Sequence, residues 1–145
     1  MNRKKATLEK LRQYELVRHS LKILPMEIAQ LEQESVSLQS GMAMGSGSRN
    51  IRSREQKILR NLKRREELEA ALDCSTEWMK TMNYALGKLE LPERQVLYRM
   101  VIRPAEGAVD KLCEELEVEK SSVYRRRDRA LEKLAVILYG PGKSK

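Results

Sequence analysis

Apolar residues recur along the chain at steps of three and four, the spacing that lines one side of an α-helix. Between residues 7 and 39 the series Tyr14, Val17, Leu21, Leu24, Ile28, Leu31 and Leu38 keeps that rhythm, interrupted only by Ser35. Such a stripe suits a seam for another helix better than a ligand site. Pro25 lies inside it. A proline lacks the N–H that bonds back one turn and disfavours helix in the residue before it, so a kink or a break is expected there. A second series, Leu62, Leu68, Leu72, Met79, Met82, Leu86 and Leu89, predicts another long helix from near residue 52 towards residue 88, with Trp78 as its large anchor. Between the two, GMAMGSGSRN at residues 41–50 is rich in glycine and small polar residues. It reads as a flexible connector, long enough for the second helix to return antiparallel on the first.

Shorter elements follow. Leu91-Pro92-Glu93-Arg94 marks a helix start, because proline suits the first helical position and an acid suits the positive end of the helix. This helix should turn Val96, Leu97, Met100 and Val101 inward and stop around Arg103 and Pro104. Residues 108–117 form a short helix with Val109, Leu112, Cys113 and Leu116 on one side. After a tight turn through Val118, a last helix runs from about Lys120 to Leu138, with Val123, Ala130, Leu134 and Leu138 as its inner stripe and Leu131 beside it. The fold class expected is all-α, an N-terminal helical hairpin or coiled coil followed by a C-terminal helix-turn-helix domain. The division expected is an N-terminal helix over 1–40, kinked near Pro25, a linker over 41–53, and a second long helix over 54–90. The helix-turn-helix domain then covers 91–139 and a tail covers 140–145.

Composition sharpens this picture. The chain has 145 residues, of which 41% are hydrophobic with no phenylalanine and 34% are charged, so the core should be thin and served by narrow apolar stripes. A thin core invites a partner, and self-association through the N-terminal helices is one candidate. The formal charge of +8 favours polyanionic partners. No apolar run is long enough to span a bilayer, and the basic start MNRKKATLEKLRQYEL lacks the apolar stretch of a secretion signal. A cytoplasmic protein is expected, without membrane attachment, since the apolar stripe of the basic last helix has partners in the preceding helices. Cys74 and Cys113 lie within helical patterns and make neither a disulfide framework nor a metal site. His19 has no nearby cysteine or evident acid partner, and there is no glycine-rich phosphate loop or nucleophile motif. No enzyme, cofactor or metal is expected.

The placement of charge is more informative than its sum. The helix at 108–117 carries Asp110, Glu114, Glu115 and Glu117 against Lys111, whereas residues 121–145 hold seven basic residues and two acidic ones. An acidic scaffold helix followed by a basic one is the arrangement in which a second helix enters the major groove of double-stranded DNA. On that helix the outer face holds Ser121, Tyr124, Arg125 and Asp128. Arg125 is the best candidate for a base edge, since a guanidinium bonds guanine bidentately, and Asp128 one turn on could hold it. Lys120, Ser122 and Arg129 are better aimed at phosphates. Arg126 and Arg127 straddle the apolar stripe, with stems that can pack and heads that reach the backbone or a scaffold carboxylate. Cys113 supplies the small side chain that a close helix crossing needs. The stretch from Arg49 to Arg65 holds eight basic residues and one acid, Glu55, and reads as a solvated face in preference to a second phosphate-contacting surface.

The stretch AVDKLCEELEVEKSSVYRRRDRALEKL resembles, without a gap, the helix-turn-helix of region four in bacterial sigma factors, and LPERQVLYRM resembles the helix before it. Together these cover residues 91–134. The full layout looks most like the phage-encoded transcriptional regulators of the ArpU and RinA type, implicated in late-gene control. The resemblance implies sequence-specific promoter binding by the second helix, through Lys120, Ser121, Ser122, Tyr124 and Arg125, with Arg126 and Arg129 beside them. It also raises contact with RNA polymerase. Three residues depart from the pattern: Glu117 where a glycine commonly makes the turn, Glu119 in place of a Ser or Thr cap, and Arg126 in place of a core leucine or isoleucine. Two other readings stay open, a small-terminase-like subunit of phage DNA packaging and a plain helical interaction protein.

Overall fold

A computed structural model of the chain describes residues 2–43 and 48–142, the side chains of 41–43 and 48–50 excepted. Five α-helices follow one another: α1 (Arg3–Ala43), α2 (Ser48–Gly87), α3 (Leu91–Leu97), α4 (Ala108–Leu116) and α5 (Lys120–Tyr139). Among the described residues there is no strand, and the fold is all-α. α1 passes through Pro25 as one continuous helix, so of the kink or break expected there a break does not occur. A proline inside a helix costs about 3 kcal/mol, and the long seam on either side supplies the packing that offsets it. Residues 41–43 finish α1, residues 48–53 begin α2, and 44–47 lie outside the described residues.

The chain divides into two compact units. In the unit Arg18–Glu77, α1 and α2 run antiparallel, for partners climb along one helix as they descend along the other. The Ser20 hydroxyl donates to Ser75 at 3.0 Å, Arg65 meets Glu32 at 3.6 Å, and the Ser35 hydroxyl donates to Asn61 at 2.8 Å. Ile28 and Leu68 are buried in this seam. The gap that Ser35 made in the apolar series is thus filled by a polar pair, with Asn61 at the position facing it. Leu62, expected to face inward, is instead 46% exposed. The inward place one residue earlier belongs to Asn61.

The other unit joins Met1–Val17 to Trp78–Lys145. Its larger core gathers Leu11 of α1, Met82 and Ala85 at the end of α2, Leu89 just beyond it, Leu97, and Ala130, Leu131 and Leu134 of α5. Each fully buried leucine contributes about 1.5–3 kcal/mol relative to an exposed one. The Tyr14 hydroxyl donates to Asn83, and its ring lies 6.4 Å from that of Trp78, so the start of α1 is fastened to the end of α2. After Leu97 the α3 helix widens into a π-helical turn, Tyr98–Ile102, closed by the Arg103 N–H bonding to the Tyr98 carbonyl at 2.8 Å. The extra residue in that turn lets the neighbours Val101 and Ile102 both be buried. A smaller core, Val96, Leu112 and Val123, joins α3, α4 and α5, with Val109, Cys113, Leu116 and Val118 packed around it. These are the inward residues that the periodicity of all three helices predicts.

Candidate nucleic-acid interface

α4 and α5 are joined by residues 117–119 alone. Glu117 ends α4 in the left-handed conformation (φ 55°, ψ 48°), and among the described residues no other non-glycine residue has a positive φ. The position where a glycine commonly makes the turn thus takes a backbone conformation that glycine favours, here with a glutamate side chain. Val118 then returns its N–H to the Cys113 carbonyl at 3.1 Å, a Schellman-like closure that satisfies the end of α4. Glu119 precedes α5 in an extended conformation, and its side chain makes no capping bond. The Ser122 and Val123 N–H groups bond to its backbone carbonyl instead, at 3.0 and 3.2 Å. The acid is therefore a weak cap, as its type implies.

From that start, Val123, Ala130, Leu131 and Leu134 hold the inner face of α5 in the two cores, and Ala135 is buried beside them in sequence. The remaining positions then decide which side chains face solvent. Lys120, Ser121, Tyr124, Arg125 and Arg129 are exposed, and Ser122 and Arg126 are half-buried. Every residue singled out by the sequence lies on this one helix, five of the seven open to solvent. Tyr124 is 42% exposed.

Local pairing differs in one respect from expectation. Asp128 does not hold Arg125. Arg125 turns back to the Ser122 hydroxyl at 3.4 Å, and the Asp128 carboxylate is taken by Arg127 at 3.3 Å and by Lys4 at 3.4 Å. The difference is one of reach. Arg127 is half-buried beside the carboxylate, with its guanidinium 5.2 Å from the centre of the Tyr124 ring, and α1 brings Lys4 to the same spot. Arg127 is consequently occupied within the fold, through an ion pair and a cation–π contact. Lys120 stands 3.7 Å from Asp110, an exposed pair that solvent screens. On the acidic helix Glu115 is bound by Arg99 of the π-helical turn at 2.6 Å, and Asp110 and Glu114 are exposed.

The interface is also braced from behind. Glu93 of α3 is buried, accepts a bond from the Glu90 N–H at 3.0 Å and lies 2.8 Å from Lys133 of α5. Burial pushes its carboxyl upward, but the Lys133 hydrogen bond, the Glu90 N–H and the charges of Lys133 and Arg129 outweigh that and hold it below the ordinary value. Neither Lys133 nor Lys4 was legible as part of this site from sequence. Glu93 was placed only as an acid at a helix start. The MNRKK cluster was visible, but nothing in its spacing says that the first turn of α1 meets α5.

Among the described residues no group of three or more His, Cys, Asp or Glu side chains stands where it could hold a metal ion, and no helix is long and apolar enough to cross a membrane. Cys74 and Cys113 are free thiols, and His19 is exposed. No protein-family model, curated protein or solved structure matches the chain.

Proposed function

We propose that the chain is a sequence-specific, double-stranded-DNA-binding transcriptional regulator of the phage ArpU and RinA type. In this reading α4 and α5 form a helix-turn-helix, α5 enters the major groove, and the paired α1 and α2 helices form the N-terminal hairpin. The observation that carries it is the split of α5 into two faces. Val123, Ala130 and Leu134 lock one face into the fold, while Lys120, Ser121, Tyr124, Arg125 and Arg129 stand exposed on the other. Arg125 reads a base edge, and Lys120, Ser122, Arg126 and Arg129 contact phosphates. Arg125 is suited to its role because its long bond to Ser122 is easily given up for guanine. Asp110 of α4 stands 3.7 Å from Lys120, an exposed pair that Lys120 exchanges for a phosphate at little cost.

Selection of bound duplexes from a random pool, together with mass in solution, tests the reading. The expected result is a recovered motif bound by a monomer or dimer, with affinity falling steeply as salt rises. A ring of many subunits would move the assignment to DNA packaging. Enrichment of no duplex at all would sink it.

A further inference from the structure

The N-terminal turns of α1 meet α5 along a groove of about 770 Å³. Lys4, Lys5 and Arg12 line it from α1, Arg127 and Asp128 line it from α5, and Met100 and Pro104 belong to its floor. Four cations therefore face one carboxylate. That carboxylate is itself held between Lys4 at 3.4 Å and Arg127 at 3.3 Å, so its charge is largely offset. Arg12 is shared with Glu9 at 3.3 Å, an exposed pair that can be exchanged for a stronger anion at little cost. Lys5 is exposed, and its backbone N–H bonds to the Asn2 side chain at 3.1 Å, which fixes the first turn of α1 and with it the positions of these lysines.

The groove adjoins the outer face of α5. Asp128 lies one turn from Tyr124, on the same side of the helix, and the Arg127 guanidinium sits over the Tyr124 ring. An anion in the groove would thus lie within one turn of the residues that the proposed function assigns to DNA. A metal site is not favoured, because four of the five charged residues in the groove are cations. A soluble acidic protein is a poorer fit than a polymer that already lies along α5.

We propose that this groove seats a backbone phosphate of the bound duplex, with Lys5 and Arg12 of α1 as its principal contacts and Lys4 holding Asp128 out of the way. The inference rests on the proposed DNA-binding function of α5 and adds to it. DNA is gripped by the first helix of the chain as well as by its last, and the N-terminal grip carries no sequence information.

The test is duplex binding across a salt series by the full chain and by a Lys5→Ala/Arg12→Ala double variant. Both residues are exposed, so the melting curve should not move. The variant should bind specific and random duplexes more weakly by the same factor. Its log–log salt slope should be shallower by about 0.9 for each phosphate that the variant no longer neutralises. A second variant, Asp128→Asn, removes the groove's one carboxylate and releases Lys4 and Arg127 from it, and should bind both duplexes more tightly than wild type; unchanged or weaker binding would count against a phosphate there. If wild type binds DNA but the double variant keeps the wild-type slope, the groove assignment is wrong and the function of α5 stands. A loss confined to the specific duplex would equally overturn it, by making these residues base readers. If wild type binds no duplex, the proposed function fails and takes this inference with it.

Discussion

The Lys133 ammonium lies 2.8 Å from the Glu93 carboxylate and ties the middle of α5 to the first turn of α3. Only 7% of the Glu93 side chain is exposed, against 45% for Lys133, so the carboxylate depends on its partners more than the lysine does. Lys133→Ala would leave a buried carboxylate with one bond fewer, at an expected loss of about 1–3 kcal/mol in urea unfolding at neutral pH. The sign of the pH effect follows from the direction of the shift. The carboxyl is held below its ordinary value of 4.5 in the folded chain. The unfolded chain therefore takes up the proton first as pH falls. The stabilisation is fully present above that ordinary value and is lost as pH drops through the lower, folded one. Comparing urea midpoints for wild type and Glu93→Gln from about pH 7 to about pH 3 checks this. The gap between them should close on the acid side, and a gap that stays constant would show that the carboxylate is not a source of acid sensitivity.

Glu117 offers a test of the turn. A side chain in the left-handed region costs about 1–2 kcal/mol, which glycine avoids. Part of that gain is cancelled by the greater freedom of glycine in the unfolded chain. Glu117→Gly is expected to raise stability by about 0.5–1 kcal/mol, and Glu117→Val, β-branched at the same φ of 55°, to lower it. Thermal melting of the two variants should place them on opposite sides of wild type.

The buried Ser35–Asn61 bond joins α1 to α2 at a polar level of their seam. Asn61→Ala leaves the Ser35 hydroxyl buried without that acceptor, at about 1–3 kcal/mol. Ser35→Ala in the same background should then cost little more. A double-mutant cycle in urea should return a coupling of about 0.5–1.5 kcal/mol. Simple additivity would mean that each side chain acts through separate partners.

These examples separate what local pattern encodes from what it does not. Val96, Leu112 and Val123 were legible because each sits on the apolar stripe of its own helix, and the three stripes meet. The outer face of α5 was legible for the same reason, as the complement of a clear inner one. Leu11 is fully buried yet missed, because the core residues of α5 and of the end of α2, distant in sequence, pack with it. Leu62 was misplaced since hydrophobicity alone ranks it above Asn61, whereas the hydrogen bond to Ser35 decides which of the two turns inward. The partners of Asp128 were likewise set by tertiary approach, with Lys4 arriving from more than a hundred positions away. Pro25 shows the same limit: its local preference is against helix, yet α1 continues through it.

Arg125 and Arg129 are both exposed on α5, and their roles in the proposed interface separate by measurement. Arg125 shares the outer face with Tyr124 and gives up little in leaving its 3.4 Å bond to Ser122. If it bonds guanine bidentately, Arg125→Ala should cost about 1–3 kcal/mol on the best duplex and relax the preference at one base pair. Arg129 lies on the flank, near enough for its charge to lower the Glu93 carboxyl. Arg129→Ala should instead weaken every duplex about equally and make the salt slope shallower by about 0.9, the share of one phosphate. Competition binding against single-base variants of the selected site measures both effects in one experiment. A selective loss at Arg129 with a uniform one at Arg125 would exchange the two roles and rotate α5 in the groove. Uniform loss at both would leave base reading to Ser121 and Tyr124, the other exposed side chains on that face.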